Sequence, residues 1–321
     1  MKASDALIAK AKIWHTQIAA LIAMAEKLGK EPPNLRIYYE RLSDLYRTEG
    51  PLSALQDTAD IVVRAQGPAM VGDPMLIDIN WLFSSVHQQF KGLVAASFNE
   101  RTTDAAKLAA HIPVVLTGIA PGSFFAGFRV TSENAAGPTD MWGQESKESI
   151  VQGAREALDS LTFVPKFVTD TEIDTEIYEQ VPDAALRDAS LMAAYHLSPT
   201  GRRGIHTLQF SKPNSDLKPA ELDTRDRVVL RETVVKKPLI RATKYGSFMG
   251  FLRGVDLDKT RVMLRDVDGV GSLRCAVNLS EDQARSMLGK KVVVKGHYEE
   301  NKHGKPSMLI VETIEKVLSL F

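Results

Sequence analysis

The final stretch of the chain, Lys244 to Phe321, narrows its possible folds more than any other. Its pattern runs strand, strand, strand, short helix, strand, strand. Ser247 to Leu257 is rich in β-formers and carries Gly250 and Gly254 just after Gly246, as a long first strand must where it bends sharply. Thr260 to Val267 alternates, with Val262 and Leu264 on one face and Arg261, Met263 and Arg265 on the other. After the turn signal Asp268-Gly269, Ser272 to Asn278 alternates again, placing Leu273, Cys275 and Val277 together and Arg274 opposite them. Ser280 then caps a short helix, with Gln283 three residues on and Gly289 at its end. Two more strands, Lys290 to Tyr298 and Pro306 to Val317, flank the polar turn Glu300 to Lys305. Five strands in this order predict a small closed barrel, a shape suited to binding rather than to a reaction.

With its bent first strand, this order resembles the OB-fold (oligonucleotide/oligosaccharide-binding) superfamily over about a quarter of the chain, on pattern rather than on any invariant motif. Members that hold single strands combine a basic groove with aromatic side chains on which bases stack. Here the second and third strands carry no aromatic residue. Their outward face offers Arg261, Arg265 and Arg274, and the last hairpin adds Lys295, His297, Lys302, His303 and Lys305. Tyr245, Phe248, Phe251 and Tyr298 are the nearby rings, some of them expected inside the barrel. The cations could form an electrostatic footprint for phosphates. A solvated face balanced by Asp256, Asp258, Asp266 and Asp268, or a protein-binding surface, is the favoured alternative.

Charge does not decide between them. Lys plus Arg equals Asp plus Glu at 40 each, so no global field draws the chain to nucleic acid or to an anionic membrane. Any such binding must come from a local patch. The single cysteine, Cys275, excludes an intramolecular disulfide and a multi-cysteine metal cluster, and a reducing cytoplasm is the expected setting. Met1 to Lys30 contains Asp5, Lys10, Lys12 and Glu26, so it reads neither as a signal-peptide core nor as a membrane span.

That opening segment instead predicts an amphipathic helix, with Leu7, Ala11, Trp14, Ile18, Leu21 and Ala25 in one stripe. Gly29 and Pro32-Pro33 end it. A second helix over Asn34 to Tyr46 presents Leu35, Tyr38, Leu42 and Leu45, so the two can fold back as a hairpin. Its stripe can bury against the rest of the chain, or against a partner protein or a second copy.

Between hairpin and barrel the pattern is mixed. Asp60 to Gln66 reads as a strand, and Asp78 as the cap of a helix with Ile79, Leu82, Phe83, Val86, Phe90, Leu93 and Val94 on its apolar face. Ile112 to Ile119 and Ser123 to Ser132 predict a β-hairpin, Glu145 to Leu161 a helix, and Pro182 the first turn of another that runs to about Leu197. A strand over Ile205 to Phe210 and a linker at Lys212 to Ser215 follow, while Asp216 to Val235 is ambiguous.

Candidate chemistry in this body is sparse. Asp170, Glu172, Asp174 and Glu176 lack the glycine and terminal acid of a calcium loop. The seven histidines are scattered, and no P-loop, GxGxxG or GxSxG occurs. Gly201-Arg202-Arg203-Gly204 is the best anion-binding candidate outside the barrel, through Arg202 and Arg203, with an exposed flexible turn as the default.

The expectation is thus an α+β protein: a helical hairpin over residues 1–58, a mixed α/β body over 59–235 and an OB-like barrel over 236–321. It has no expected catalytic residue, metal or cofactor. The expected role is binding and regulation through a partner protein or self-association at the N-terminal helices. A nucleic-acid adaptor using Arg261, Arg265, Arg274, Lys295 and Lys302, with Arg202 and Arg203 beyond the barrel, is the second reading. An enzyme gathering His87, His196, His206 and the acidic run is the third. A bacterial defence or toxin–antitoxin setting is a guess that no single residue carries.

Overall fold

A computed structural model describes residues 2–98, 111–120, 123–131, 147–215, 217–236, 238–241, 244–258, 260–301 and 304–317. The N-terminal stripe folds as expected. Helix α1 (Ala3–Lys27) and helix α2 (Arg36–Asp44) clasp Ala11, Ile18, Leu42 and Leu45, with Trp14 and Tyr38 edge to face at 6.0 Å. A wide turn leads from α2 into α3 (Gly50–Thr58), where Asp57 accepts hydrogen bonds from the Ala3 and Ser4 amides and so caps α1 from outside.

The body is built on a five-stranded sheet in the order β2-β3-β1-β4-β5, comprising β1 (Ile61–Gln66), β2 (Val114–Ala120), β3 (Phe124–Val130), β4 (Thr207–Ser211) and β5 (Ala220–Leu222). One face, with Ile61, Val63, Phe124, Phe128, Leu208 and Phe210, is buried under α4 (Leu76–Ser97), α5 (Lys147–Asp159) and the central helix α7 (Ala184–Leu197), which follows the single turn α6 (Ile177–Gln180). Asp78 does not cap α4, which begins two residues earlier behind Met75; the carboxylate is buried in the first turn instead. On the other sheet face Leu55 of α3 settles over Gly118 and Gly127. A Cβ on Gly127 would lie 2.5 Å from the Thr117 hydroxyl and 2.9 Å from Leu55, so glycine is what lets the helix approach.

Two readings of the body change. Lys212 to Ser215 is the connection from β4 to β5 within the sheet, and the ambiguous stretch resolves into β5 and α8 (Thr224–Leu230) with a wide turn after it. Asp223 caps α8 reciprocally with Asp226, a local signal that patterning by hydrophobicity does not register.

The C-terminal region closes into a five-stranded barrel, β10-β8-β7-β6-β9. Its strands are β6 (Lys244–Asp256), β7 (Arg261–Val267), β8 (Gly271–Ala276), β9 (Lys291–Glu300) and β10 (Pro306–Lys316), with α9 (Glu281–Met287) between β8 and β9. β10 runs parallel to β8 and antiparallel to β9, and β6 closes the ring against β9. Leu252, Leu264, Leu273, Cys275, Val292, Val294 and Leu309 fill it, with Phe248 and Tyr298 packed edge to face at 5.2 Å inside. Gly296 sits where a Cβ would fall 1.9 Å from the Ile310 carbonyl, so only glycine lets β9 and β10 cross so closely. Among the described residues, no helix is long and apolar enough to cross a membrane.

Candidate functional site

The barrel has two contrasting sides, fixed by strand alternation. On one side the outward residues of β7, β8 and the start of β10 meet α7. Asp188, 1% exposed, accepts from Arg261 Nε and Nη2, the latter at 2.6 Å, and from Arg274 Nε at 2.7 Å. Arg261 is 4% exposed and also donates to the Val234 carbonyl. Burial opposes ionisation of Asp188, but the guanidinium groups of Arg274 and Arg261 outweigh it and hold the carboxyl below its usual range.

One residue back on α7, Arg187 reaches Glu299 of β9 at 2.6 Å and the Val181 carbonyl at 2.9 Å, with its guanidinium 4.6 Å from the Tyr178 ring centre. Ser307 donates to Asp183 and accepts from the Ala185 amide, and Ala184, Ala276 and Met308 form a small apolar cluster beside them. The sequence reading of Arg261 as solvent-facing is therefore overturned, and Arg274 is half-buried. Both point out of the barrel as predicted, but that direction leads into the body.

The other candidates are dispersed. Arg265 is half-buried on β7, and Lys295 is exposed on β9. Lys302 and His303 lie outside the described residues. In the Gly201–Gly204 loop, Arg203 stands 5.6 Å over the Trp81 ring centre and 3.8 Å from Asp78, while Arg202 is exposed. That loop is docked: Ala69 donates to the Gly204 carbonyl and His206 to that of Gln66. Among the described residues no group of acids, histidines or cysteines could hold a metal ion, and Asp170 pairs with Arg225 at 2.9 Å.

The second side of the barrel, made by β6 and β9, brings together Tyr245, Phe251, Lys295 and His297, which the sequence reading named separately, with Met249, Lys291 and Arg253, which it passed over. Tyr245 is 58% and Met249 39% exposed, and Phe251 is half-buried beneath the Arg253 guanidinium, 5.2 Å from its ring centre. The register sets Tyr245 beside His297, Ser247 beside Lys295 and Phe251 beside Lys291. Tyr245 and His297 meet edge to face at 5.3 Å, and Lys291, Lys295 and Arg253 are exposed. His297 also lies 3.3 Å from Glu312, at the far edge where Glu315 is exposed too. The signal was present in β6: Tyr245, Met249 and Phe251 alternate with Phe248, Gly250 and Leu252. Starting the strand at Ser247 instead of Lys244 left Tyr245 out and the alternation unused. No protein-family model, curated protein or solved structure matches the chain.

Proposed function

We propose that the protein is a non-catalytic binding protein whose barrel is an OB-like fold and takes single-stranded nucleic acid on the β6–β9 face. The observation that carries this is the stripe of Tyr245, Met249 and Phe251 interleaved with Lys291, Lys295 and Arg253. Exposed rings offer stacking platforms to any base, and flanking cations neutralise the phosphates between them. The OB-like assignment is supported by a closed ring in which the first strand pairs with the second and fourth, the third runs parallel to the fifth, and a helix joins the third to the fourth. Such folds commonly bind on their second and third strands. Here the end of that face marked by Arg261 and Arg274 is filled by α7, which shifts the reading to the first and fourth. Fluorescence anisotropy with labelled single-stranded DNA and RNA tests it. Binding should weaken steeply with salt and fall with Y245A or F251A, and binding indifferent to both substitutions would remove the proposal.

The partner-protein role that the sequence put first is kept as a second proposal, favoured by α1. Ile13, Met24 and Leu28 share one side of the helix and its C-terminal cap, away from the buried Ala11–Ile18–Ala25 stripe, and are all exposed. Light scattering of the full chain and of M24E/L28E distinguishes self-association from a monomer.

A further inference from the structure

We infer that a second ligand site, for a small organic anion, lies in the cleft between the N-terminal helices and the uncovered part of the body sheet. This inference is independent of the nucleic-acid reading. The cleft encloses about 650 Å³, within the range of small-molecule sites. Its floor is the sheet face that α3 leaves open at β1 and β4, and its walls are the first turns of α1, α3 and the residues Lys212, Pro213, Asn214 and Leu217 that follow β4. Among the described residues that line it, the charged side chains are Lys2, Lys10, Arg64, Lys212 and Glu49. The lysines are compensated, because Lys10 pairs with Glu49 at 2.7 Å, Lys212 with Asp159 at 2.5 Å, and Lys2 lies within electrostatic reach of Asp57.

Arg64 is the informative member. It is half-buried at the centre of the floor, where a guanidinium normally finds a carboxylate. Its acceptors are neutral instead: Ser123 Oγ at 3.0 Å, Gln209 Oε1 at 3.3 Å and, with its amide oxygen turned inward, Gln66 at 2.9 Å. The Phe125 ring lies 5.0 Å from the guanidinium carbon. Gln209 relays part of the charge to Glu221, which accepts from its Nε2 at 2.7 Å. Among the described residues the guanidinium thus meets no carboxylate directly, and is held by neutral groups that an incoming carboxylate or phosphate oxygen can replace with a stronger, charge-assisted bond. Leu7, Leu52 and Leu217 on the walls suit an apolar body attached to that anion.

Isothermal titration of the full-length protein with ADP, inorganic pyrophosphate and citrate tests the site and separates phosphate from carboxylate sources. At least one probe should bind, and Arg64→Gln should weaken it by on the order of tenfold or more. The exposed pair K2Q/K212Q, which leaves the floor intact, should weaken the same probe by a smaller factor. No heat from any of the three probes, or binding unchanged in R64Q, overturns the inference. Should circular dichroism show R64Q unfolded, K2Q/K212Q decides, and unchanged affinity there overturns it too. Because the β6–β9 face is untouched by these variants, their oligonucleotide binding should stay at the parent level, so the two proposals fail separately.

Discussion

The two sides of the barrel use the same kinds of residue for opposite ends. On the β7–β8 side, a buried and a half-buried arginine share a single buried aspartate and the surface is consumed by the fold. On the β6–β9 side, lysines and rings stand in solvent at similar spacing along their strands. A surface guanidinium pair contributes little, whereas a buried one that loses its partner strands an unpaired charge in a low-dielectric setting. The difference teaches that strand alternation separates barrel core from barrel exterior, and that the exterior is then divided by what the rest of the chain lays against it.

The largest expected effect tests that division directly. Asp188→Asn removes the buried carboxylate that Arg261 and Arg274 share and should cost about 3–5 kcal/mol in urea denaturation. Lys295→Ala, on the open side, should change stability by less than about 0.5 kcal/mol. Equal losses in the two variants would erase the contrast. The same aspartate sets an acid limb. Its folded pKa lies below the ordinary 3.8, so the stability it contributes is complete above that value and is lost as pH falls through the lower one. The denaturation midpoint of the parent should therefore drop below about pH 4 more steeply than that of D188N.

Much of this architecture was legible in the chain because local and global signals agreed. The barrel order, the Ser280 cap, the core set Leu264, Leu273 and Cys275, and the hairpin stripe of α1 all follow from periodicity and turn chemistry. The candidate site was less legible for two physical reasons. Whether Arg261 meets water depends on α7, more than seventy positions away, and no pattern within β7 encodes that pairing. The body itself interrupts its sheet with helices, so β5 is only three residues long and leaves too little alternation to recognise. Arg64 was invisible for a related reason. Its position in β1 was predicted, but its neutral surroundings are supplied by Ser123 and Gln209 from outside that strand.

Intermediate effects belong to the open side. Tyr245→Ala and Phe251→Ala should each cost about 1–3 kcal/mol of single-strand binding, read as anisotropy shifts at fixed salt. Arg274→Ala should spare binding and lower stability, and the reverse result would move the ligand to the docked side. Next in size, K291A/K295A should reduce the slope of log affinity against log salt by about 1.4, since each phosphate neutralised on a single strand adds roughly 0.7. A slope unchanged by the pair would mean that these lysines meet no phosphate and that the stripe is a hydrophobic surface for a protein.

The smallest effect sharpens the comparison by reversing its sign. Asp226, in the capping box of α8, is held without an arginine. Burial, with the nearby Asp223 and Glu221 charges, pushes its carboxyl up to about 6 from the ordinary 3.8, and the hydrogen bond from the Asp223 amide offsets this only in part. A raised carboxyl contributes stability that is complete below 3.8 and lost as pH rises through about 6, opposite to Asp188. Asn at this position can still accept the Asp223 amide while carrying no charge. Asp226→Asn should therefore match or exceed the parent at pH 7 and flatten its stability profile between about pH 4 and 6, by less than about 1 kcal/mol given partial solvent screening. Measured beside D188N, it separates a carboxylate that the fold needs ionised from one that the fold tolerates only at a cost. If both variants shifted the profile in the same direction, pairing with Arg261 and Arg274 would not be what distinguishes the docked side of the barrel.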